Sequence, residues 1–320
     1  MSSSLNAHLV EEADSRISNL IHKTPILTSS TLDEICAKKL YFKCENFQKT
    51  GSFKIRGFLN AILKAKESGH LKGVITMSAG NGGQSLAYSA SKVGVPSIVA
   101  VPETVSITKA DAIVAYGAEL QRCPPNITIL EETCEKLAKD LGYYYVDPHS
   151  DYEVMAGHGT VVKEFLEQAP DLDALLVQVG GGGLIAGVAK YVAEVNPKIK
   201  VFCIEPEGKD LQSSLNAQVP LWEDTSKMLN TIADGLMVQR VTEQSFQVIN
   251  ECCQKRTFSV NNQEISNAML LIMQRLKVVI EPSAALGLAA VLKYREELKD
   301  CHKIGIILTG GNADLNKLPF

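Results

Sequence analysis

Lys54 has the first chemical claim in the chain. It lies in Lys49-Thr50-Gly51-Ser52-Phe53-Lys54-Ile55-Arg56-Gly57, between two apolar residues, with a glycine three residues away on either side. Apolar neighbours desolvate an amine, weaken its hold on its proton and make it a usable nucleophile or base. A lone lysine at a helix start is more often simply solvated, so its role depends on what the rest of the chain supplies. Gly180-Gly181-Gly182-Gly183 stands between an apolar run and an amphipathic one. Bare backbone N–H groups at a helix start attract anions, phosphate above all. A tight turn without ligand is the bland alternative, and four consecutive glycines exceed what a turn requires.

Two further glycine loops follow apolar runs. Ser78-Ala79-Gly80-Asn81-Gly82-Gly83 offers N–H groups for a carboxylate, with Asn81 adding a side-chain donor, and Thr309-Gly310-Gly311-Asn312 closes the last run. Ligands of open α/β sheets gather outside the carboxyl ends of the strands. Together these stretches suggest one cleft, with phosphate on 180–183, a carboxylate on 78–83 and an aldehyde on Lys54. Pyridoxal phosphate is the cofactor with those needs. A competitor exists: Gly181-Gly182-Gly183-Leu184-Ile185-Ala186 fits G-x-G-x-x-A, and Glu205 lies where a ribose-binding acid belongs in an NAD-dependent oxidoreductase. That pattern should open the first half of a Rossmann fold, and it leaves Lys54 and the 78–83 loop without a task.

The elements that must position these residues alternate along the chain. Residues 5–21 are loosely helical and 40–44 read as a strand. Apolar residues at 55, 58, 59, 62 and 63 predict a helix over 55–66, placing Lys54 at its N-terminal edge. Strands are expected at 74–77, 97–101, 119–122 and 143–146, with helices to about 93, over 109–116 and over 130–141. A helix near 158–168 precedes strands at 174–179 and 201–204. The stretch 207–231, with the only tryptophan, reads as a polar excursion; helices at 264–276 and after Pro282 precede a strand at 304–308. This rhythm predicts an α/β fold with mostly parallel sheets covered by helices, and residues 73–150 as a compact unit.

Bulk composition removes other classes. The 320 residues are 45% hydrophobic and 21% charged, with net charge −4 and no basic patch for nucleic acid. No stretch approaches the roughly 18 apolar residues of a membrane span. The polar opening at 1–8 has no apolar signal core, so secretion is not expected. Eight scattered cysteines without a C-x-x-C pair read as reduced thiols, and six dispersed histidines offer no metal site. The expected setting is cytoplasmic.

In order and spacing, Lys49 to Gly57, Ser78 to Gly83, Gly180 to Gly183, Glu281-Pro282-Ser283 and Thr309 to Asn312 resemble the fold-type II pyridoxal-phosphate enzymes, closest to the serine racemase and serine/threonine dehydratase (ammonia-lyase) branch. The resemblance covers nearly the whole chain. It implies two open, twisted, mostly parallel sheets of the tryptophan synthase β kind. It also implies a large domain of 1–72 plus 151–320, a small domain of 73–150 and a homodimer. Lys54 would form the imine with the cofactor, and Phe53 would flank the ring. Asn81 would bond the ring hydroxyl, Gly180, Gly181, Gly182, Gly183 and Leu184 would hold the phosphate, and Thr309 would face the pyridine nitrogen. Ser78, Ala79, Gly80, Asn81 and Gly82 would receive the substrate.

The departures from the family pattern shape the expected reaction. Serine racemases read S-S-G-N-H-G at the 78–83 loop, their second serine being the base opposite the lysine; here that position is Ala79, as in threonine dehydratases. Racemisation needs proton carriers on both faces of Cα, elimination only one. The sequence therefore favours β-elimination from L-serine or L-threonine to a 2-oxo acid and ammonia, ahead of serine racemisation and of a cofactor-binding protein without turnover. Gly82 replaces the usual loop histidine, Leu130 a substrate-facing arginine and Val238 a serine, which disfavours dicarboxylic or strongly polar substrates. Glu205 matches the carboxylate of the activating divalent cation (Mg), but its aspartate partner reads Leu211, with Asp210 one place early, so the cation set is incomplete. Ser30, Thr50, Lys277 and Asn312 match part of an ATP effector site.

Overall fold

The structure is a computed structural model that describes residues 4–222, 224 and 227–320. Residues 1–3 of the polar opening, and 223, 225 and 226 of the 207–231 excursion, lie outside the described residues. Strands β1 (Ile26–Leu27), β2 (Lys39–Lys43), β3 (Val74–Met77), β4 (Ser97–Pro102), β5 (Glu119–Cys123), β6 (Tyr144–Tyr145), β7 (Ala174–Gln178), β8 (Lys200–Pro206), β9 (Thr257–Val260) and β10 (Lys303–Ile307) make two sheets. One has the order β1-β2-β10-β7-β8-β9 and is parallel apart from the short β1–β2 pair. The other, β5-β4-β3-β6, is all parallel and comes wholly from residues 74–145. The α/β architecture with two mainly parallel sheets is therefore as expected. Every residue of β7 is buried, because helices cover both sheet faces and only an unbroken apolar run suits such a strand.

Four helices matter for the site: α1 (Lys54–Glu67), α2 (Asn81–Val93), α3 (Tyr152–Gln168) and α4 (Gly183–Val195). The predicted helix at 158–168 begins earlier, at Tyr152, where Asp151 caps it by accepting a hydrogen bond from Glu153 N. Gly157 and Gly159 look like helix breakers in sequence, but they are contact points. A Cβ on Gly157 would stand 2.4 Å from the Arg56 carbonyl and 2.7 Å from Gly57 Cα, so α1 and α3 meet backbone to backbone. A Cβ on Gly187 would stand 2.1 Å from the Met155 carbonyl and 2.7 Å from Gly159 N, so α4 crosses α3 just as closely. One central helix thus sets the positions of the helices that begin at Lys54 and at the four-glycine loop. The apolar face of α1, with Ile55, Phe58, Leu59 and Ile62, packs with Val74, Leu86 and Val99, tying Lys54 to the smaller sheet as well.

Polar groups brace the same junction. Arg56 is fully buried, and its Nε and Nη2 each donate to Glu45 at 2.8 Å, with Nη2 also 3.2 Å from Glu164 Oε2. Buried Lys43 donates to the other Glu164 oxygen and to the Thr24 carbonyl. A forked guanidinium matches a carboxylate with two parallel bonds, and each buried charge here has a partner. Away from the junction, β9, the helix Glu243–Cys252 and the helix Leu211–Ala217 lie where the sequence predicted no element, the last within the excursion. All eight cysteines are free and seven are buried. No helix among the described residues is long and apolar enough to cross a membrane.

Replacing Arg56 with Met leaves Glu45 buried without its main countercharge and Glu164 with Lys43 alone. We expect a loss of about 3–5 kcal/mol in unfolding free energy, measured by urea titration; an unchanged midpoint would mean that the network does not hold this junction.

Candidate active site

The nine-residue stretch around Lys54 is held in an unusual shape. Thr50 adopts a left-handed conformation (φ 61°), rare for a β-branched residue, and Gly51 follows at φ 72°. Asn312 Nδ2 donates to the Thr50 carbonyl (2.8 Å), Gly311 N donates to the Gly51 carbonyl (2.9 Å), and the Thr50 hydroxyl lies 3.1 Å from that of Ser85. Phe53 N donates to the Thr309 carbonyl at 3.0 Å. The 309–312 loop and the helix that follows the 78–83 loop therefore both meet the stretch that carries Lys54.

The 78–83 loop joins them through Asn81. Its Nδ2 donates to both Glu281 oxygens (2.9 and 3.0 Å), and its Oδ1 accepts from Asn312 Nδ2 (2.8 Å). Burial raises the Glu281 carboxyl to about 7, with the Asn81 bond working in the opposite direction. Ser78, Ala79 and Gly80 line the loop half-buried, while Gly82 is buried. A Cβ on Gly82 would come 2.9 Å from Ser78 Oγ, so the absence of a side chain there leaves the Ser78 hydroxyl uncovered.

The four-glycine loop closes the other side. Gly182 is left-handed (φ 105°), and a Cβ there would meet Ser245 at 2.4 Å, which restricts the position to glycine. Gly181 faces the His149 ring, 2.4 Å from where its Cβ would be, and Leu184 is buried just inside α4. His158, on α3, packs its ring edge-on to Phe53 with centroids 4.8 Å apart. Its nitrogens lie against the backbone of Lys54 and Gly183, where neither makes a full hydrogen bond. His158 thus links the lysine to the glycine loop.

The electrostatics suit an amine that must shed its proton. Part of the Lys54 side chain reaches the cleft, yet desolvation by its crowded surroundings is the largest effect and lowers it to about 8, with Asp147 and Glu281 opposing. Its Nζ sits 5.3 Å from the Phe53 ring centroid. Burial and then the Lys54 charge lower both histidines, His149 to about 3 and His158 well below its usual value, so both are neutral at pH 7. Sequence reasoning missed both histidines. His149 follows the carboxyl end of β6, a position where ligands gather in parallel sheets, and that signal was available.

The arrangement fits pyridoxal phosphate. The Ser52 hydroxyl is buried without a partner, the glycine loop forms a cradle that any side chain would fill, and α4 aims its N-terminus at it. Thr309, buried beside Phe53, lies on the same rim. Glu205 is not part of this assembly; it is buried at the end of β8, where its Oε2 accepts from Leu211 N (3.1 Å). Burial raises Glu205 to about 7 and lowers neighbouring Lys209 to about 7, each partly offset by the other's charge. Leu130 packs in the apolar cluster of Ile75, Ile98, Cys123 and Cys134, as a core residue.

Comparisons with known proteins agree with this geometry. Residues 17–310 match the family described as "Pyridoxal-phosphate dependent enzyme". The chain is 43% identical to the serine racemase of Dictyostelium discoideum, over 97% of this chain and 95% of that protein. It is 40% identical to the L-threo-3-hydroxyaspartate ammonia-lyase of Saccharomyces cerevisiae, over 96% and 93%. Its backbone superposes on the crystal structure of a pyridoxal 5'-phosphate-dependent aspartate racemase with TM-score 0.96 and 42% identity, covering 100% of this chain and 99% of the other.

An amine lowered to about 8 makes a pH prediction. Covalent capture of added pyridoxal phosphate by the apoprotein needs free amine, so its rate should rise about tenfold per unit below pH 8 and level off above it. Absorbance of the captured cofactor measures this, and Lys54→Ala should show no covalent capture at any pH. A midpoint near 10.5 would mean that the amine is not desolvated.

Proposed function

The chain belongs to the pyridoxal-phosphate dependent enzymes, and from that premise we propose that Lys54 moves the α-proton of a small L-amino acid, with racemisation as the leading outcome. The observation that carries the proton-transfer step is the desolvated Lys54 amine among Phe53, His158 and the three glycine loops. Pyridoxal phosphate is the cofactor, and when bound it supplies an electron sink for the pair released as the Cα–H bond breaks. Gly180 to Gly183 and the first turn of α4 would hold its phosphate, with Leu184 behind them. Asn81 would reach its hydroxyl, Thr309 its ring nitrogen and Phe53 its ring. Backbone N–H groups of the 78–82 loop would orient the substrate carboxylate, and Lys54 would take the proton from one face of Cα while a second carrier delivers one to the opposite face.

The names of the relatives weigh towards racemisation, of serine in Dictyostelium and of aspartate in the superposed structure. That reverses the order favoured by the sequence alone. A racemase needs a proton carrier on the second face, which Ala79 does not provide; Ser78, uncovered by Gly82, is the loop hydroxyl available for it. β-Elimination is the second reading because of Ala79, with support from the yeast ammonia-lyase. There Lys54 would remove the α-proton, the hydroxyl would leave the β-carbon, and hydrolysis of the product would give a 2-oxo acid and ammonia. A division into units 1–72 with 151–320 and 73–150, a homodimer and a response to ATP, which rest on the resemblance, and a cytoplasmic setting, which rests on composition, complete the proposal.

The test incubates holoenzyme with L-serine, L-threonine, L-aspartate and L-threo-3-hydroxyaspartate and measures D-isomers and 2-oxo acids together. We expect a D-isomer in excess of 2-oxo acid, lost in Ser78→Ala, and both products about 10²–10⁴-fold lower in Lys54→Ala. Only 2-oxo acid would overturn racemisation in favour of elimination. Neither product, with cofactor bound, would leave a binding protein.

A further inference from the structure

The region around Glu205, where the family resemblance places a divalent cation, fits such an ion poorly. Glu205 brings one buried carboxylate; Leu211 is fully buried hydrocarbon, and Asp210 is fixed in a left-handed turn (φ 59°) at the start of the following helix. Among the described residues no group of three His, Cys, Asp or Glu side chains could hold a metal. The buried group that stands there is the chain's own cation. Lys209 is fully buried, and its Nζ donates to the carbonyl oxygens of Val238 (2.6 Å) and Gln239 (2.8 Å) while feeling the charge of Glu205. Two carbonyls favour the protonated form, since an ammonium makes the stronger hydrogen bond. Backbone carbonyls with a carboxylate nearby are also the oxygen set that a hard cation selects.

We propose that the Lys209 ammonium is a tethered substitute for the activating cation, so that this chain organises its phosphate loop without a metal ion. The connection runs along the backbone. Gln239 Nε2 donates to the Gly208 carbonyl (2.9 Å) and Trp222 Nε1 to the Lys209 carbonyl (2.7 Å), which fixes the lysine's own turn. Three residues beyond Gln239, Thr242 N donates to the Gly181 carbonyl (3.1 Å). Val241 and Ser245 press on Gly182, at 2.7 and 2.4 Å from where a Cβ would stand. By gripping carbonyls 238 and 239, Lys209 sets the segment that backs the phosphate cradle. It is a positioning residue, since it touches neither substrate nor cofactor. An ammonium on a covalent stem cannot be chelated or exchanged, which is the practical difference from an ion.

The test uses holoenzyme and reads melting temperature and the rate of pyridoxal phosphate release, neither of which depends on which reaction is catalysed. For the wild type, EDTA followed by Mg²⁺, Ca²⁺ or K⁺ should change neither. Lys209→Met keeps the stem and removes the charge; it should release the cofactor about tenfold faster or more, the effect of one lost hydrogen-bonded charge. Lys209→Ala combined with Leu211→Asp restores space and a second carboxylate, and its melting temperature should rise on adding Mg²⁺. The proposal is overturned if EDTA destabilises the wild type and a cation restores it, or if Lys209→Met keeps the cofactor as well as the wild type does. Should the variants fail to fold, the EDTA and readdition arms on the wild type decide alone.

Discussion

Two glycine-to-glycine helix crossings are the constraint on which the site depends. At Gly57 and Gly157, and again at Gly159 and Gly187, backbone approaches backbone so closely that no side chain fits between. The helix of Lys54 and the helix of the phosphate loop never need to recognise each other, because both are registered on α3. A side chain at any of these contacts would push one helix start away from the other. The buried Arg56 network, two residues from Lys54, locks the first crossing with directional bonds where packing alone would allow sliding.

The protein treats buried charge in two opposite ways within a short distance. Arg56, Glu45, Glu164 and Lys43 keep their charges and pair them. Lys54, His149, His158 and Glu281 are pushed towards neutrality by burial. The first arrangement gives rigidity; the second leaves Lys54 and Glu281 able to exchange protons near neutral pH and the two histidines neutral there, and α1 carries one member of each kind two residues apart.

Much of this was legible in the chain. Short unbroken apolar runs and period-3.6 apolar patterns placed most strands and helices, because buried parallel strands and amphipathic helices leave strong local signatures. The glycine loops and Lys54 were legible because their chemistry is carried by residue type. What stayed hidden was tertiary. Gly157 and Gly159 carried no signal of the contacts they make, because Gly57 and Gly187 are brought against them only by the fold. His149 and His158 were isolated histidines until the fold set them against the glycine loop. Nothing in the sequence singles out Lys209, whose carbonyl partners lie about thirty residues on. The ranking of reactions rested chiefly on Ala79, a single position of one loop.

Thr50 carries one more consequence. A β-branched residue does not rest in a left-handed turn by preference, and here Asn312 near the end of the chain and Ser85 on α2 both restrain it. Those restraints come from residues 262 and 35 positions away, so the turn that aims Lys54 is held by tertiary contacts and not by its own sequence. A partly folded chain keeps its reactive amine pointed nowhere in particular, and the nucleophile is armed only once the structure that restrains it is complete.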